Sequence, residues 1–518
     1  MRSGARKGMK AVKWIERVHL SEQTASIRPI AAALLGFTCL AGAQLFLLES
    51  RQPLPPLLLS ILGVVLWLPL LNHWTIEVNS EGQCVEVSQK ASDLERRRFY
   101  AIGAVFFAAI ALLTSQTGAV SPLFGFSWLM SIALTAGSLI GGERFLPRRP
   151  ERPKPFLAEA SGVLLLMAMA ALVHMQTPAP YEYLTDTALH MSAAQWLLDL
   201  TAPNYLPLLS VLVGALLVVA VYFLGRILGG RQTGFFAAGF TSVSGWTLAL
   251  GKVGPVYSIL ALVSALYLAA LFHAHHSRRR ASYVLAGALL GVGWLASPLF
   301  VYLALLIPLA GIFVWLDERR NALGIGRNHA AMLLMMFVIW LPAQNVFKPP
   351  APTSLDTVLD PVMAFADGLS RSLLIFNLTG DPIPLHGIVS RPVFSPIVAA
   401  ALWVGVLVWI ARIYDSRNGS DSLPLVALVV ALLPSALSAR PPDLQRAALA
   451  LPVSVTIAAC GLAFLTRVIT ARWQHPGRGI AIILFLLALV VIAADARQHY
   501  VNTFLPVYEQ ATQITSLR

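Results

Sequence analysis

"PNYLPLLSVLVGALLVVAVYFLGRILGGRQTGFFAAGFTSVSGWTLALGKVGPVYSILALVSALYLAALF" (203–272) contains three charged residues, Arg226, Arg231 and Lys252, and each stands between apolar runs rather than inside one. A run of roughly 20 apolar residues, rising 1.5 Å per residue as a helix, covers the ~30 Å hydrocarbon core of a bilayer. Inside lipid the backbone must satisfy its own hydrogen bonds, so such a run is a helix. The spacing therefore predicts three crossings here, near 206–228, 233–250 and 256–274.

The same pattern extends in both directions. Of 518 residues, 57% are hydrophobic and 12% are charged, against about a quarter charged in a soluble domain. Further spans are expected near 29–49, 54–72, 99–119, 123–142, 157–176, 283–296, 299–316, 330–346, 394–411, 423–438, 447–465 and 479–494. The fold class is all-α: a polytopic helical membrane protein of about fifteen spans. The apolar run at 29–49 is long for a signal segment and another span follows at once, so it reads as an uncleaved first helix.

The net charge of +13 could suggest nucleic acid, but its distribution excludes that reading. Arginines and lysines concentrate in short connections such as "ERRRF" (95–99), "ERFLPRRPERPKP" (143–155), "HHSRRR" (275–280) and "DERRN" (317–321). Placing the basic N-terminal segment in the cytoplasm puts these loops, with 226–231, 412–421 and 466–478, on the same side. The expected location is the plasma (inner) membrane, N-terminus cytoplasmic and C-terminus outside. "TIEVNSEGQCVEV" (75–87) alternates about a Ser-Glu-Gly turn and reads as a small cytoplasmic hairpin. Cys39, Cys84 and Cys460 are far apart and match no metal spacing.

Three outer segments carry the chemistry: 177–205, 347–392 and "SARPPDLQRA" (438–447). Arg440 and Arg446 run against the preference for uncharged outer loops, which an anionic partner or snorkelling to lipid phosphates would explain. "TDTALHMSAAQWLLDL" (185–200) has Thr185 as an N-cap and Asp186 in the first turn, while Leu189, Ala193, Trp196, Leu197 and Leu200 share a stripe. It reads as an interfacial helix lying along the outer surface. His190 is one turn beyond Asp186.

The order "YFLGRILGGRQ", then a small-residue span, then "GKVGPVYS", resembles membrane-embedded glycosyltransferases of the GT-C type. Within these it is similar to bacterial members of family 39, the protein-mannosyltransferase-like group. "FNLTGDPIPLHGIVSRPVFSP" (376–396) and "LLPSALSARPPDLQRAALALP" (432–452) are similar to outer-loop segments of that group. The likeness covers roughly 155 to 470. It implies a GT-C-like core over 156–518, with 1–155 an added four-span unit without recognisable chemistry.

The resemblance implies transfer of a sugar from a polyprenyl-phosphate donor to a lipid, glycan or protein at the outer face. The partners are then that donor and membrane lipids, with no nucleic acid. In the family the first outer loop opens on an acidic pair. Here Asp186-Thr187-Ala188 matches it, with the second acid absent and the loop short. Such transfer needs a base for the acceptor and cations for the departing phosphate. Asp186 is the base or only favours the helix start; His190 supports it or is a plain surface residue. Glu182, which also joins the substrate-pocket set, and Asp199 are the fallback acids. Arg446 is the first choice for the phosphate, followed by Lys252 and Arg440. Asp381 and His386 line the sugar pocket or bind a divalent ion, or Asp381 closes a turn. The pair is too few ligands to name a metal, so the metal is unknown, and no cofactor is required. Two other readings stand beside this one: a non-catalytic GT-C-like accessory or scaffold subunit, and a transporter.

Overall fold

The computed structural model describes residues 86–116, 122–140, 154–176, 206–253, 255–317, 322–344, 361–378, 380–382, 391–416, 418–438 and 440–507. The spans expected at 29–49 and 54–72 lie outside these residues, as does the hairpin at 75–87 except for Glu86 and Val87, which open the first helix.

In chain order the helices are α1 (Glu86–Ser115), α2 (Pro122–Ile140), α3 (Lys154–Gln176), α4 (Leu206–Gly229), α5 (Arg231–Val243), α6 (Gly245–Val253), α7 (Pro255–Ser277) and α8 (Arg280–Ala296). There follow α9 (Phe300–Ala304), α10 (Leu306–Asp317), α11 (Ala322–Ala343), α12 (Pro361–Leu374), α13 (Pro396–Ser416), α14 (Leu423–Ala436) and α15 (Leu451–His499). No strand occurs among the described residues. Eight helical stretches among them are long and apolar enough to cross a membrane. Their outward faces carry large apolar side chains such as Ile102, Leu129, Leu212 and Leu407, each more than half exposed. Patches of that size are stable against lipid and not against water. The chain is an all-α polytopic membrane protein.

Burial sorts the helices. The windows of α7 and of the start of α15 are 78% and 83% buried, against 17% for α1. Hydrogen bonds tie α7 to its neighbours at depth: Ser264 Oγ donates to Leu449 O at 2.9 Å and Tyr267 OH to Leu303 O at 3.2 Å. The hairpin of α4 and α5 turns on Gly230, whose φ of 87° suits glycine. Gly225 and Gly234 face each other across it, so the two backbones approach closely.

Two expectations change. The single span at 233–250 is broken at Ser244, whose φ of −65° and ψ of 131° are extended. The Ser-Gly pair permits this: Ser244 Oγ accepts the Trp246 N–H at 3.2 Å and restarts the helix. At the other end of the chain, α15 is helical throughout but not straight. Val455 and Ile492 border the same cleft, whereas along a straight helix they would stand about 55 Å apart. Gln232 bonds Thr466 at 2.6 Å, and Phe485 packs on Phe236 at 4.6 Å. The chain thus runs down alongside α5, reverses between Arg467 and Phe485, and returns against the same face of that helix. The reversal contains the basic segment 466–478.

The basic connections gather at one end. There Glu159 pairs with Arg226 and with Arg231 at 3.1 Å and accepts the Tyr222 hydroxyl, tying α3, α4 and α5 together. Asp317 accepts the backbone N–H groups of Gly419 (2.6 Å) and Ser420 (2.9 Å), and Arg412 pairs with Asp421 at 3.0 Å. Lys252, Arg391 and Arg446 stand at the opposite end, where α12 also lies. That helix is amphipathic, about 21 Å long and too short to cross. Ser372 on it meets Ser435 of α14 at 3.1 Å.

If the basic end is cytoplasmic, a cysteine at Ser438 will react with an impermeant maleimide in intact cells and one at Ser277 will not. The background protein has Cys39, Cys84 and Cys460 replaced by serine. Labelling of Ser277→Cys from outside would invert the layout.

Candidate functional site

The helix break at Ser244 decides where Lys252 goes. Freed from the axis of α5, the nine-residue α6 packs against α3 and α4 and carries Lys252 between them. Ser210 of α4 donates to the Gly251 carbonyl, and the ring of His174 on α3 lies against Gly214 and Gly251. A methyl group at Gly251 would strike that ring at 2.7 Å. Lys252 is 4% exposed, and among the described residues it has no acid or hydrogen-bond partner. Burying an ammonium costs several kcal/mol unless an anion offsets it.

His174 and Ser210 stand close to Gln176 and Leu206, the residues that flank 177–205. Both roots of the segment bearing Asp186 thus arrive beside Lys252. Asp186, His190, Glu182 and Asp199 themselves lie outside the described residues, as do His386, Asp356 and Asp360.

Arg446 is held differently. Asp443, three residues earlier, accepts its backbone N–H at 3.0 Å and stands 3.3 Å from its Nε. The neighbouring carboxylate offsets part of the guanidinium charge, although Nε makes no hydrogen bond to it. Asp443 is itself fixed by Ser435, whose Oγ accepts the Asp443 N–H at 2.9 Å. Asp381 is fully buried and accepts the Leu444 N–H at 2.6 Å. Its carboxylate thus bonds the segment carrying Arg446, across the fold. Arg440 is exposed on the same segment.

Sequence reasoning missed three partners. Asp443 was legible as an i, i+3 neighbour of Arg446, and the Ser-Gly pair at 244–245 as a helix breaker. Asp495, which Arg391 Nη2 grips through both carboxylate oxygens at 2.8 and 2.9 Å, gave no local signal because it lies on a distant helix. Among the described residues no group of three His, Cys, Asp or Glu side chains is placed to hold a metal ion.

No family model matches the chain, and no curated protein matches it. Among solved structures it is similar to the archaeal oligosaccharyltransferase AglB from Archaeoglobus fulgidus in complex with an inhibitory peptide and a dolichol-phosphate. That match has 14% identity, a TM-score of 0.41, and covers 74% of this chain and 56% of the other. The Archaeoglobus fulgidus oligosaccharyltransferase in complex with Zn and sulfate aligns at 15% identity and a TM-score of 0.40, over 72% and 53%. The chain spans little more than half the length of these proteins.

Proposed function

We propose that this protein is a GT-C-type glycosyltransferase that moves a sugar from a polyprenyl-phosphate donor to a lipid, glycan or protein acceptor at the outer face of the membrane. The observation that carries the reading is Lys252: a buried ammonium with no acid among the described residues, beside both roots of the segment that holds Asp186. The donor phosphate sits against Lys252, with Arg446 a secondary contact because Asp443 already engages it. The Asp186 carboxylate takes the proton of the acceptor hydroxyl or amide. The acceptor atom bonds to the anomeric carbon, the bond from that carbon to the phosphate oxygen breaks, and its electron pair leaves on the phosphate. Lys252 stabilises that charge. His190 orients Asp186, while Glu182, Asp381 and His386 belong to the surroundings of the sugar.

Binding of a polyprenyl-phosphate analogue tests this. A charge-assisted contact is worth about 1.5–3 kcal/mol, or roughly 10- to 150-fold in affinity. Lys252→Met should lose that much, Lys252→Arg should recover part, and Arg446→Ala should lose less. Unchanged affinity in Lys252→Met would overturn the assignment. The second reading, a non-catalytic accessory subunit, draws on the single acid at 186 where the resembled family has two.

A further inference from the structure

Away from Lys252, a narrow open-sided cleft of ≈ 40 Å³ runs between α13, the α5–α6 break and the two halves of α15. Its walls are apolar: Phe240, Val398, Val455 and Ile492. It opens between two lipid-facing surfaces, since Ile397 and Trp403 on α13 and Val490 and Val491 on α15 are 40–65% exposed. One end of the cleft is polar. There the Arg391–Asp495 pair lies half exposed, with Ser395 and His499 beside it.

The chemistry of that end is two-signed. Arg391 uses only Nη2 on Asp495, which leaves Nε and Nη1 to donate elsewhere. Ser395 Oγ and His499 Nε2 are shielded from solvent and have no hydrogen-bond partner. Burial and then Arg391 lower the pKa of His499, against the opposite pull of Asp495. These donors suit phosphate oxygens, while Asp495 suits an ammonium. A purely anionic headgroup would meet the Asp495 carboxylate, and a purely cationic one would meet Arg391.

We propose that this cleft is a binding site for a zwitterionic phospholipid of the phosphatidylethanolamine type. Its phosphate lies on Arg391, Ser395 and His499, its ammonium donates to Asp495, and one acyl chain lies along the apolar walls. The site is separate from sugar transfer, so its test reads lipid and not activity.

Purified full-length protein in detergent is mixed with equimolar phosphatidylethanolamine, phosphatidylglycerol and polyprenyl phosphate, and the retained lipid is identified by native mass spectrometry. Phosphatidylethanolamine should exceed phosphatidylglycerol by about tenfold, the size of one charge-assisted contact. Asp495→Asn should erase that preference. Ile492→Phe, which fills the cleft from its wall without touching the ion pair, should lower retention of phosphatidylethanolamine by a similar factor. Equal retention of the two phospholipids by the wild type overturns the proposal. So does displacement of phosphatidylethanolamine by polyprenyl phosphate, whereas polyprenyl phosphate retained beside it belongs to the Lys252 site and leaves the proposal standing. If Asp495→Asn does not fold, the wall variant decides: unchanged phosphatidylethanolamine retention in it is fatal to the assignment.

Discussion

Asp186→Asn is expected to abolish sugar transfer while leaving folding and donor binding close to normal. A positioned general base contributes about 10²–10⁴-fold to rate, and the amide cannot take the acceptor's proton. Asparagine serves a helix start about as well as aspartate, so a purely structural role for Asp186 would leave the variant active. Asp186→Glu keeps the carboxylate, displaced by one methylene, and should retain part of the rate. Transfer assays with analogue binding run in parallel separate the two roles. If Asp186→Asn transfers sugar at the wild-type rate, the base moves to Glu182 or Asp199. If those substitutions are silent too, the accessory-subunit reading takes over. Lys252 gives an internal check, because its loss should weaken binding where the loss of Asp186 does not.

The largest effect on stability is expected at Gly405 and Gly461. A Cβ on Gly405 would fall on the Ile457 carbonyl oxygen, and one on Gly461 on the Ala401 carbonyl oxygen. α13 and the first half of α15 therefore cross with their backbones in contact, as close-packed membrane helices do where both carry small residues. Neither carbonyl can rotate aside as a flexible side chain would. Overpacking a well-filled core costs about 1–3 kcal/mol even where side chains can adjust, so Gly461→Val and Gly405→Val should exceed that range. The expected outcome is a marked fall in the thermal transition in detergent and loss of the monodisperse species on size exclusion. Gly125 supplies the control, since a Cβ there meets nothing within 4 Å. Gly125→Ala should leave both measurements unchanged. An equally harmless Gly461→Val would mean that the two helices do not cross as described.

The glycine pair shows why part of this protein was closed to sequence reading. Each glycine sits alone in an apolar helix, in "WVGVL" (403–407) and "ACGLA" (459–463), with no local feature to mark its partner. Asp495 is likewise unremarkable until the return of α15 brings it to Arg391. The burial of Lys252 goes with the break at Ser244 and the packing of α6 on α3 and α4, which the apolar average across 233–250 concealed. Arg446 drew attention by its position against the charge pattern, yet Asp443 and Asp381 set how it is held.

By itself the sequence determined the membrane class, the helical architecture and the gathering of basic loops at one end. These follow from the length of the apolar runs, the demand that backbone groups in lipid bond within their own segment, and the placement of charge, all of them local quantities. Only the tertiary structure decided which charges are paired and which stand alone: Arg446 against Asp443, Arg391 against Asp495, Lys252 without an acid among the described residues. Whether a charge is neutralised depends on which groups lie within a few ångströms of it. In a helical membrane protein those groups come from helices far apart in the chain, brought together by packing whose partners no single segment specifies.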